Sequence, residues 1–157
     1  MKITKTNAAR ILDGKKVQYE LIAYEVDEND LSATHVAFRL GKPIEQVFKT
    51  LVLRGDKSGV FVCIIPGAEE VNLKLVAKTT ENKSCDLVPM KEIQELTGYI
   101  RGGCSPLGMK KNYPAYIHET ATLYPFIYVS AGVRGLQIKL KPHDLIQCCV
   151  AMVCRLA

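Results

Sequence analysis

The sequence predicts a single α+β domain, residues 1–157, organised around a mixed β-sheet. A chain of 157 residues is long enough to bury its own core, and no low-complexity linker or internal repeat divides it. Helical and strand-like segments alternate irregularly, and some strand-like segments are separated only by short turns. Hairpins of this kind favour a mixed sheet over a strictly parallel, doubly wound one.

The N-terminal third predicts two helices with one strand between them. Residues 6–14 carry a capping side chain, apolar residues on one side and a final glycine, which predicts a helix. Apolar and polar residues alternate over 17–26, as in a strand. In 32–41 the apolar residues recur with the spacing of one helix face, so a second, amphipathic helix is expected.

The middle of the chain predicts a hairpin followed by two helices. Apolar runs at 47–54 and 59–65 are separated by the turn-forming segment GDKSG, a spacing typical of two antiparallel strands. Helices are expected over 72–80 and 89–96, and the second begins with a proline suited to a first helical turn.

The C-terminal third predicts three short strands and a closing helix. The strands are expected in the segments 114–119, 125–132 and 135–140, which lie among glycine-containing turns. Residues 142–154 place apolar side chains on one stripe, and a helix is expected over this whole segment.

Composition narrows the class of protein. The apolar fraction is 48%, and no run approaches the ~18 apolar residues of a membrane helix. The first residues lack the apolar stretch of a signal peptide, so a cytoplasmic location without a membrane partner is expected. A net charge of +5 permits an anionic partner, but a DNA-binding regulator is not favoured, because a helix-turn-helix spacing and basic runs are missing.

Metal sites and disulfides are not indicated. None of the three histidines is spaced with a cysteine as in a zinc site, so neither a metal nor another cofactor is expected. The six cysteines form no C-x-x-C pair, and several lie in apolar runs, where cysteine behaves as a small hydrophobe. We expect reduced structural thiols at Cys63, Cys85, Cys104, Cys148, Cys149 and Cys154.

One lysine stands out because it lies inside a predicted buried strand. Lys49 is flanked by Val47, Phe48 and Leu51. Such a lysine can extend its ammonium group to water, as most do. Alternatively, it can present a cation to a cavity, where a reduced dielectric constant strengthens attraction for a carbonyl oxygen or a phosphate. Strand alternation predicts that Lys49 shares a face with Val47 and Leu51, whereas Thr50 lies on the opposite face.

Two glycine-containing segments are further candidates. In GGCSPLGMKK, Gly102 and Gly103 allow the backbone to approach a ligand closely, although a plain turn explains the segment equally well. In YVSAGVRGLQI, the pattern G-x-S-x-G is absent, so we interpret Ser130 as a hydrogen-bonding residue rather than a nucleophile. Tyr24 is a core tyrosine or a cavity wall.

Three segments taken together carry a family resemblance. QVFKTLVL, TGYIRGGCSPLGMKK and IYVSAGVRGLQIKL, in this order, are similar to the YbaK/EbsC family of aminoacyl-tRNA editing proteins. The resemblance covers essentially the whole chain. It implies a curved, open-barrel-like mixed sheet flanked by helices, as in the editing domain of some prolyl-tRNA synthetases. It also implies removal of a wrongly attached amino acid, typically cysteine, from the 3′ end of tRNA for proline, with cysteinyl-tRNA for cysteine as a further substrate. Prolyl-tRNA synthetase is the partner to expect.

The resemblance further implies roles for individual residues. Lys49 matches the lysine on which family members depend, and Tyr24, Thr50, Gly102 and Ser130 match family pocket positions. The family lacks a nucleophile of its own, and the substrate's thiol is expected to attack its own ester carbonyl. Such a reaction requires positioning and charge stabilisation from the protein.

One position departs from the family pattern. Gln137 stands where cysteine-clearing members carry an aspartate, and an amide supplies no negative charge for a substrate's α-ammonium group. A deacylase that clears alanine or serine with water is therefore an open alternative. A non-catalytic module that binds aminoacyl-tRNA or a synthetase is another, although such a module would be expected to have lost Lys49, Gly103 or Ser130.

Overall fold

The structure, a computed structural model, describes residues 3–157 and contains five α-helices and eight strands in that range. The helices are α1 (Asn7–Gly14), α2 (Ala33–Leu40), α3 (Leu73–Thr79), α4 (Ile93–Thr97) and α5 (Pro142–Cys149). The strands are β1 (Tyr19–Ala23), β2 (Phe48–Gly55), β3 (Gly59–Pro66), β4 (Cys85–Leu87), β5 (Ala115–His118), β6 (Ile127–Ser130), β7 (Leu136–Leu140) and β8 (Met152–Cys154). None of these helices is long and apolar enough to cross a membrane.

A five-stranded mixed sheet forms the centre, with the strand order β4-β2-β3-β5-β8. The antiparallel hairpin β2–β3 pairs Phe48 with Pro66 at one end and Gly55 with Gly59 at the other. Strand β5 runs parallel to β3, and β8 runs parallel to β5. The predicted hairpin, the mixed sheet and the α+β class are therefore confirmed.

A second, antiparallel sheet has the order β1-β7-β6. It joins the first sheet through a parallel bridge between Val47 and Tyr128. The chain thus builds its sheet in two connected parts, which do not close into a barrel. This junction brings the end of β6 beside the start of β2.

The core lies on both faces of the five-stranded sheet. On one face, Phe48 and Ile64 pack with α1, α5 and the buried side of the three-stranded sheet, which includes Ile138. On the other face, Phe61 and Ile65 pack with residues of α3. Because side chains alternate along a strand, neighbouring residues of β2 and β3 contribute to different clusters. Both faces of this hairpin are therefore fixed by packing.

The closing helix is shorter than the predicted 142–154. Helix α5 ends at Cys149, Val150 is left-handed with a φ of 50°, and the Ala151 N–H donates to the Ile146 carbonyl. The chain then forms β8, so the prediction of helix beyond Cys149 is wrong. The apolar stripe is ambiguous here, because alternate residues of a short strand can continue the spacing of a helix face.

Other boundaries also differ from the sequence expectations. The strand predicted over 17–26 is limited to β1, and β4 is not predicted at all. The helix predicted over 89–96 is a 3₁₀ turn, Met90–Glu92, followed by the short α4. Two further 3₁₀ turns, Ile44–Gln46 and Glu119–Leu123, were not predicted, and the second begins at the last residue of the strand predicted over 114–119. Elements of three to five residues are too short to show a clear period.

Candidate functional site

A cavity of about 440 Å³ lies beside β2, near the junction of the two sheets. Its walls come from β2, the start of α2, the segment that follows β4, the glycine turn before β5 and the β6–β7 hairpin. This volume suits a small molecule or the end of a larger ligand. Of the residues predicted for a site, those that line the cavity are Lys49, Thr50, Gly102, Ser130 and Gln137.

The edge of β2 is open where it borders the cavity. Strand β4 pairs with β2 only at Leu53–Gly55, and the Val88 N–H donates to the Val52 carbonyl. Because the Val52 carbonyl points toward Val88 and away from β3, Val52 and its partner Val62 are a non-hydrogen-bonded pair of the hairpin. Since such pairs recur every second residue, the peptide groups of Thr50 also point away from β3, toward the cavity. Residues from both faces of β2 can reach a cavity at this edge.

Lys49 brings a cation to this cavity. It is half-buried, and in the described part of the chain it forms no ion pair. Burial lowers the pKa of Lys49 from its ordinary value, and the negative charges of Glu70 and Glu69 partly oppose this shift. The ammonium group is therefore available to an anionic or carbonyl oxygen of a ligand, in surroundings that strengthen the attraction.

Ser130 and Gln137 face the cavity from the β6–β7 hairpin. The two residues are directly opposite each other in the register, so their side chains share one face of the sheet. The Ser130 hydroxyl accepts a hydrogen bond of 3.1 Å from the Gly132 N–H. Gln137 is only 5% exposed. Strand pairing thus brings together two polar groups that sequence reasoning proposed separately.

Two buried oxygen atoms at the cavity have no hydrogen-bond partner among the described residues. They are the Thr50 Oγ1 and the Gln137 Oε1. Buried polar atoms are usually paired, and an unpaired one costs free energy. A ligand that donates hydrogen bonds, such as an amino or ammonium group, would satisfy both.

The glycine segment forms a tight turn at the cavity. The Gly103 N–H donates to the Ile100 carbonyl at 3.0 Å, and Gly102 has a φ of +80°, which a side chain would strain. Gly102 and the neighbouring Cys104 line the cavity, whereas Gly103 does not. A Cβ on Gly103 would lie 3.3 Å from the Val133 Cα, so this glycine permits close packing of the turn against the hairpin.

Tyr24 lies outside the residues that line the cavity. It follows β1, its N–H donates to the Gly135 carbonyl at 3.0 Å, and its side chain packs on the cluster that includes Val36 and Tyr128. Val36 lines the cavity from α2. Tyr24 is thus placed behind that wall, as a supporting residue.

Several lining residues were not predicted from the sequence. Cys104 contributes a thiol, and Leu31 and Ile93 contribute apolar surface. At the same cavity Leu87 is 51% exposed and Met90 is 58% exposed. An apolar residue carries no chemical signal of a site in a sequence. These residues are identified only in the structure, where apolar side chains lie exposed beside a cavity.

The arrangement offers charge and hydrogen bonds rather than a conventional nucleophile. Burial raises the pKa of the Cys104 thiol to about 11, so this thiol is protonated near neutral pH. No histidine of the described chain lines the cavity, and a serine–histidine pair is therefore not assembled around Ser130. No group of His, Cys, Asp and Glu side chains in residues 3–157 is placed to hold a metal ion. The cavity can bind and polarise a ligand that carries its own reactive group.

Comparisons with known proteins agree with this description. Residues 27–148 match the family model of the aminoacyl-tRNA editing domain. The chain is 46% identical over 142 residues to a protein of Enterococcus faecalis named "Putative Cys-tRNA(Pro)/Cys-tRNA(Cys) deacylase EbsC", and the match covers 90% of this chain and 87% of that protein.

Two solved structures share the fold. One is described as a "putative trans-editing enzyme for prolyl tRNA synthetase", with a TM-score of 0.81, 23% identity and coverage of 98% of both chains. The other is the "hypothetical protein APE2540", with a TM-score of 0.85, 20% identity and coverage of 94% of this chain and 96% of that one. At these identities the likeness concerns the fold alone.

Proposed function

The chain belongs to the aminoacyl-tRNA editing domain family, and we propose that it is a trans-acting deacylase that removes cysteine wrongly attached to tRNA for proline. One observation carries the proposal. An unpaired, half-buried cation, Lys49, lines the same cavity as two buried oxygens without partners, on Thr50 and Gln137. A cysteinyl ester presents the complementary groups, which are a carbonyl oxygen that gains negative charge and an ammonium group.

The chemistry rests on the substrate's own thiol. Its sulfur attacks the carbonyl carbon of the same aminoacyl ester, so that a carbon–sulfur bond forms and the bond from that carbon to the ribose oxygen breaks. The thiol proton ends on the ribose oxygen, and the products are a cyclic thioester and uncharged tRNA. Because both reacting groups belong to one molecule, the protein contributes positioning and charge stabilisation.

Lys49 stabilises the negative charge that develops on the ester carbonyl oxygen. Its ammonium group is partly desolvated by burial, which strengthens this interaction relative to water. It also attracts the phosphate that precedes the terminal ribose. The same cation thus assists both binding and the chemical step.

Gln137, Thr50 and Ser130 orient the aminoacyl group. The α-ammonium group donates hydrogen bonds to the unpaired Oε1 of Gln137 and Oγ1 of Thr50, while the Ser130 hydroxyl lies opposite Gln137. Gln137 replaces the aspartate expected from the family resemblance, so this contact is a hydrogen bond from the cation to an uncharged amide oxygen in place of an ion pair. Tyr24 and Gly103 support the walls without touching the substrate.

The outer part of the cavity receives the terminal adenosine. Leu87 and Met90 present exposed apolar surface there, on which a base can stack. With a net charge of only +5 the chain makes few phosphate contacts, so affinity for tRNA is modest and decreases with salt. Prolyl-tRNA synthetase in the cytoplasm is the partner that supplies selection of the tRNA.

The test is deacylation of tRNA for proline charged separately with cysteine, alanine, serine or proline. Clearance of cysteine alone, lost in Lys49→Ala while the variant remains folded, is the expected result. Clearance of alanine or serine by water is the second candidate reaction, which the neutral Gln137 favours, and its observation would replace the thiol mechanism. If none of the four esters is cleared, with or without the synthetase, the proposal of a deacylase is wrong.

A further inference from the structure

Arg134 connects two walls of the cavity. Its Nε donates a hydrogen bond of 2.8 Å to the Arg101 carbonyl in the glycine turn. Its Nη1 lies 2.7 Å from the Glu28 Oε2, in the loop that precedes α2. Arg101 lines the cavity from the glycine turn, and Leu31 lines it from the loop of Glu28. One planar guanidinium group therefore ties both segments to the β6–β7 hairpin.

The bond to Arg101 acts on the central peptide group of the turn. The turn runs from Ile100 to Gly103, and the φ of +80° at Gly102 with an ordinary φ at Arg101 makes it type II. Type I and type II turns differ by rotation of the peptide group between their two central residues. Here that group consists of the Arg101 carbonyl and the Gly102 N–H.

Fixing the carbonyl also fixes the N–H. In a trans peptide the C=O and N–H bonds point in opposite directions. The Arg101 carbonyl is directed at Arg134, so the Gly102 N–H points the other way. This N–H donates to no atom of the described residues, and Gly102 lines the cavity.

We propose that Arg134 is a positioning residue, which holds the Arg101–Gly102 peptide group so that the Gly102 N–H donates to the carbonyl oxygen of the aminoacyl ester. This inference rests on the proposed deacylation. The N–H then acts together with Lys49 on the developing negative charge. A donor that is already held in place stabilises the transition state, because the protein does not have to rearrange during the reaction.

The two contacts of Arg134 contribute unequally. Glu28 is 67% exposed, and an ion pair with an exposed partner contributes little. The bond to the Arg101 carbonyl is the contact that decides the orientation of the peptide group. Glu28→Gln is therefore a matched control, since it removes the ion pair and leaves the bond to Arg101.

The experiment compares wild type, Arg134→Leu, Arg134→Lys and Glu28→Gln in steady-state deacylation of cysteinyl-tRNA. Arg134→Leu is expected to lower kcat about tenfold while KM stays within about twofold. Complete removal of such a donor costs about 10²-fold or more in kcat, but without Arg134 the turn still adopts the type II conformation part of the time. Glu28→Gln is expected to stay near wild type, and Arg134→Lys to recover part of the loss.

A second readout does not depend on activity. In ¹⁵N-labelled protein, the Gly102 amide resonance is expected to shift when a stable 3′-cysteinylamide of adenosine binds. In Arg134→Leu that shift is expected to be lost, and amide hydrogen exchange in residues 100–103 to accelerate.

The outcomes separate the two proposals. Normal kcat in a folded Arg134→Leu, an equal loss in Glu28→Gln, or an unchanged Gly102 response would overturn the role of Arg134 and leave the deacylase intact. An inactive wild type would refute the deacylase, and the amide exchange would still decide whether Arg134 fixes the turn.

Discussion

Lys49 and Thr50 are consecutive residues on opposite faces of β2, and both line the same cavity. This is possible because the cavity lies at the open edge of the strand rather than against one face. Lys49 approaches the cavity as a cation, whereas Thr50 contributes a buried hydroxyl without a hydrogen-bond partner and peptide groups that point away from β3. The strand edge therefore concentrates three kinds of polar group beside one ligand.

Replacing Thr50 with valine should stabilise the protein and weaken its activity. Valine has nearly the same shape and removes the unpaired Oγ1, whose burial costs about 1–3 kcal/mol. We expect the free energy of unfolding to rise by about 1 kcal/mol in urea titrations. Thr80→Val is the control, because the Thr80 hydroxyl donates to the Val76 carbonyl at 2.8 Å, and it should destabilise. Equal destabilisation by both variants would show that Thr50 Oγ1 is not an unpaired atom.

The pH dependence of stability should report the burial of Lys49. Its pKa is lowered in the folded protein from 10.5, so just below pH 10.5 the unfolded chain binds more protons than the folded one. Stability from this residue therefore rises with pH in the interval between the folded pKa and 10.5. Lys49→Met is expected to flatten that rise in urea titrations across this interval.

Lys5 provides a control of opposite sign. The hydrogen bond to Asp13 raises the pKa of Lys5 above 10.5. The contribution of Lys5 to folding stability is therefore complete below pH 10.5 and is lost only as the pH rises through the folded pKa. Lys5→Met should therefore leave the rise below pH 10.5 in place. If Lys49→Met also retains the full rise, the ammonium group is solvated and the cavity does not desolvate it.

The sequence predicts the parts of this protein that have a clear period or a charged anomaly. The β2–β3 hairpin lies within a residue or two of the predicted runs, because eight-residue strands bounded by glycines leave little choice. The sequence indicates Lys49 because it is a cation among apolar neighbours. It indicates Gln137 because similar family members carry an aspartate at that position. Both residues line the same cavity, and their roles there stay a prediction.

Long-range pairing explains what the sequence leaves open. The same stripe of apolar residues suits a helix or a strand at Met152–Cys154, and only β5, more than 30 residues earlier, decides for a strand. Leu31 and Met90 have the chemistry of ordinary apolar residues, and only the fold shows that they line a cavity. The bond from Arg134 to the Arg101 carbonyl joins two turns that no local pattern relates.

Adding one methyl group at Gly102 or at Gly41 should have the same effect on stability but a different effect on kcat. Gly102 and Gly41 both have a left-handed φ, of +80° and +67°, so Gly102→Ala and Gly41→Ala should each lose about 1 kcal/mol of unfolding free energy. Gly41 ends α2 and has nothing within 4 Å of an added Cβ. Only Gly102→Ala is expected to lower kcat for deacylation, since it disturbs the peptide group beside the substrate. Equal kcat values in two variants of equal stability would exclude a catalytic role for this turn.

Changing Gln137 to glutamate should reveal what the neutral amide does. The side chain keeps its length, but it places an unpaired carboxylate where the residue is only 5% exposed. An unpaired buried charge is costly, so the free protein should lose stability by about 3 kcal/mol or titrate with a raised carboxyl pKa.

The 3′-cysteinylamide of adenosine carries a cationic α-ammonium group, which would compensate that charge. We therefore expect Gln137→Glu to bind this analogue more tightly than its N-acetylated form by a larger factor than wild type does. Calorimetric titration with both compounds measures the two affinities. Gln137→Leu, which removes the hydrogen bond without adding charge, should lose most of the preference and keep only the part that the Thr50 Oγ1 supplies. If the N-acetyl group makes no difference to any of the three proteins, the α-ammonium group does not bind at Gln137, and the unpaired Oε1 faces another part of the substrate.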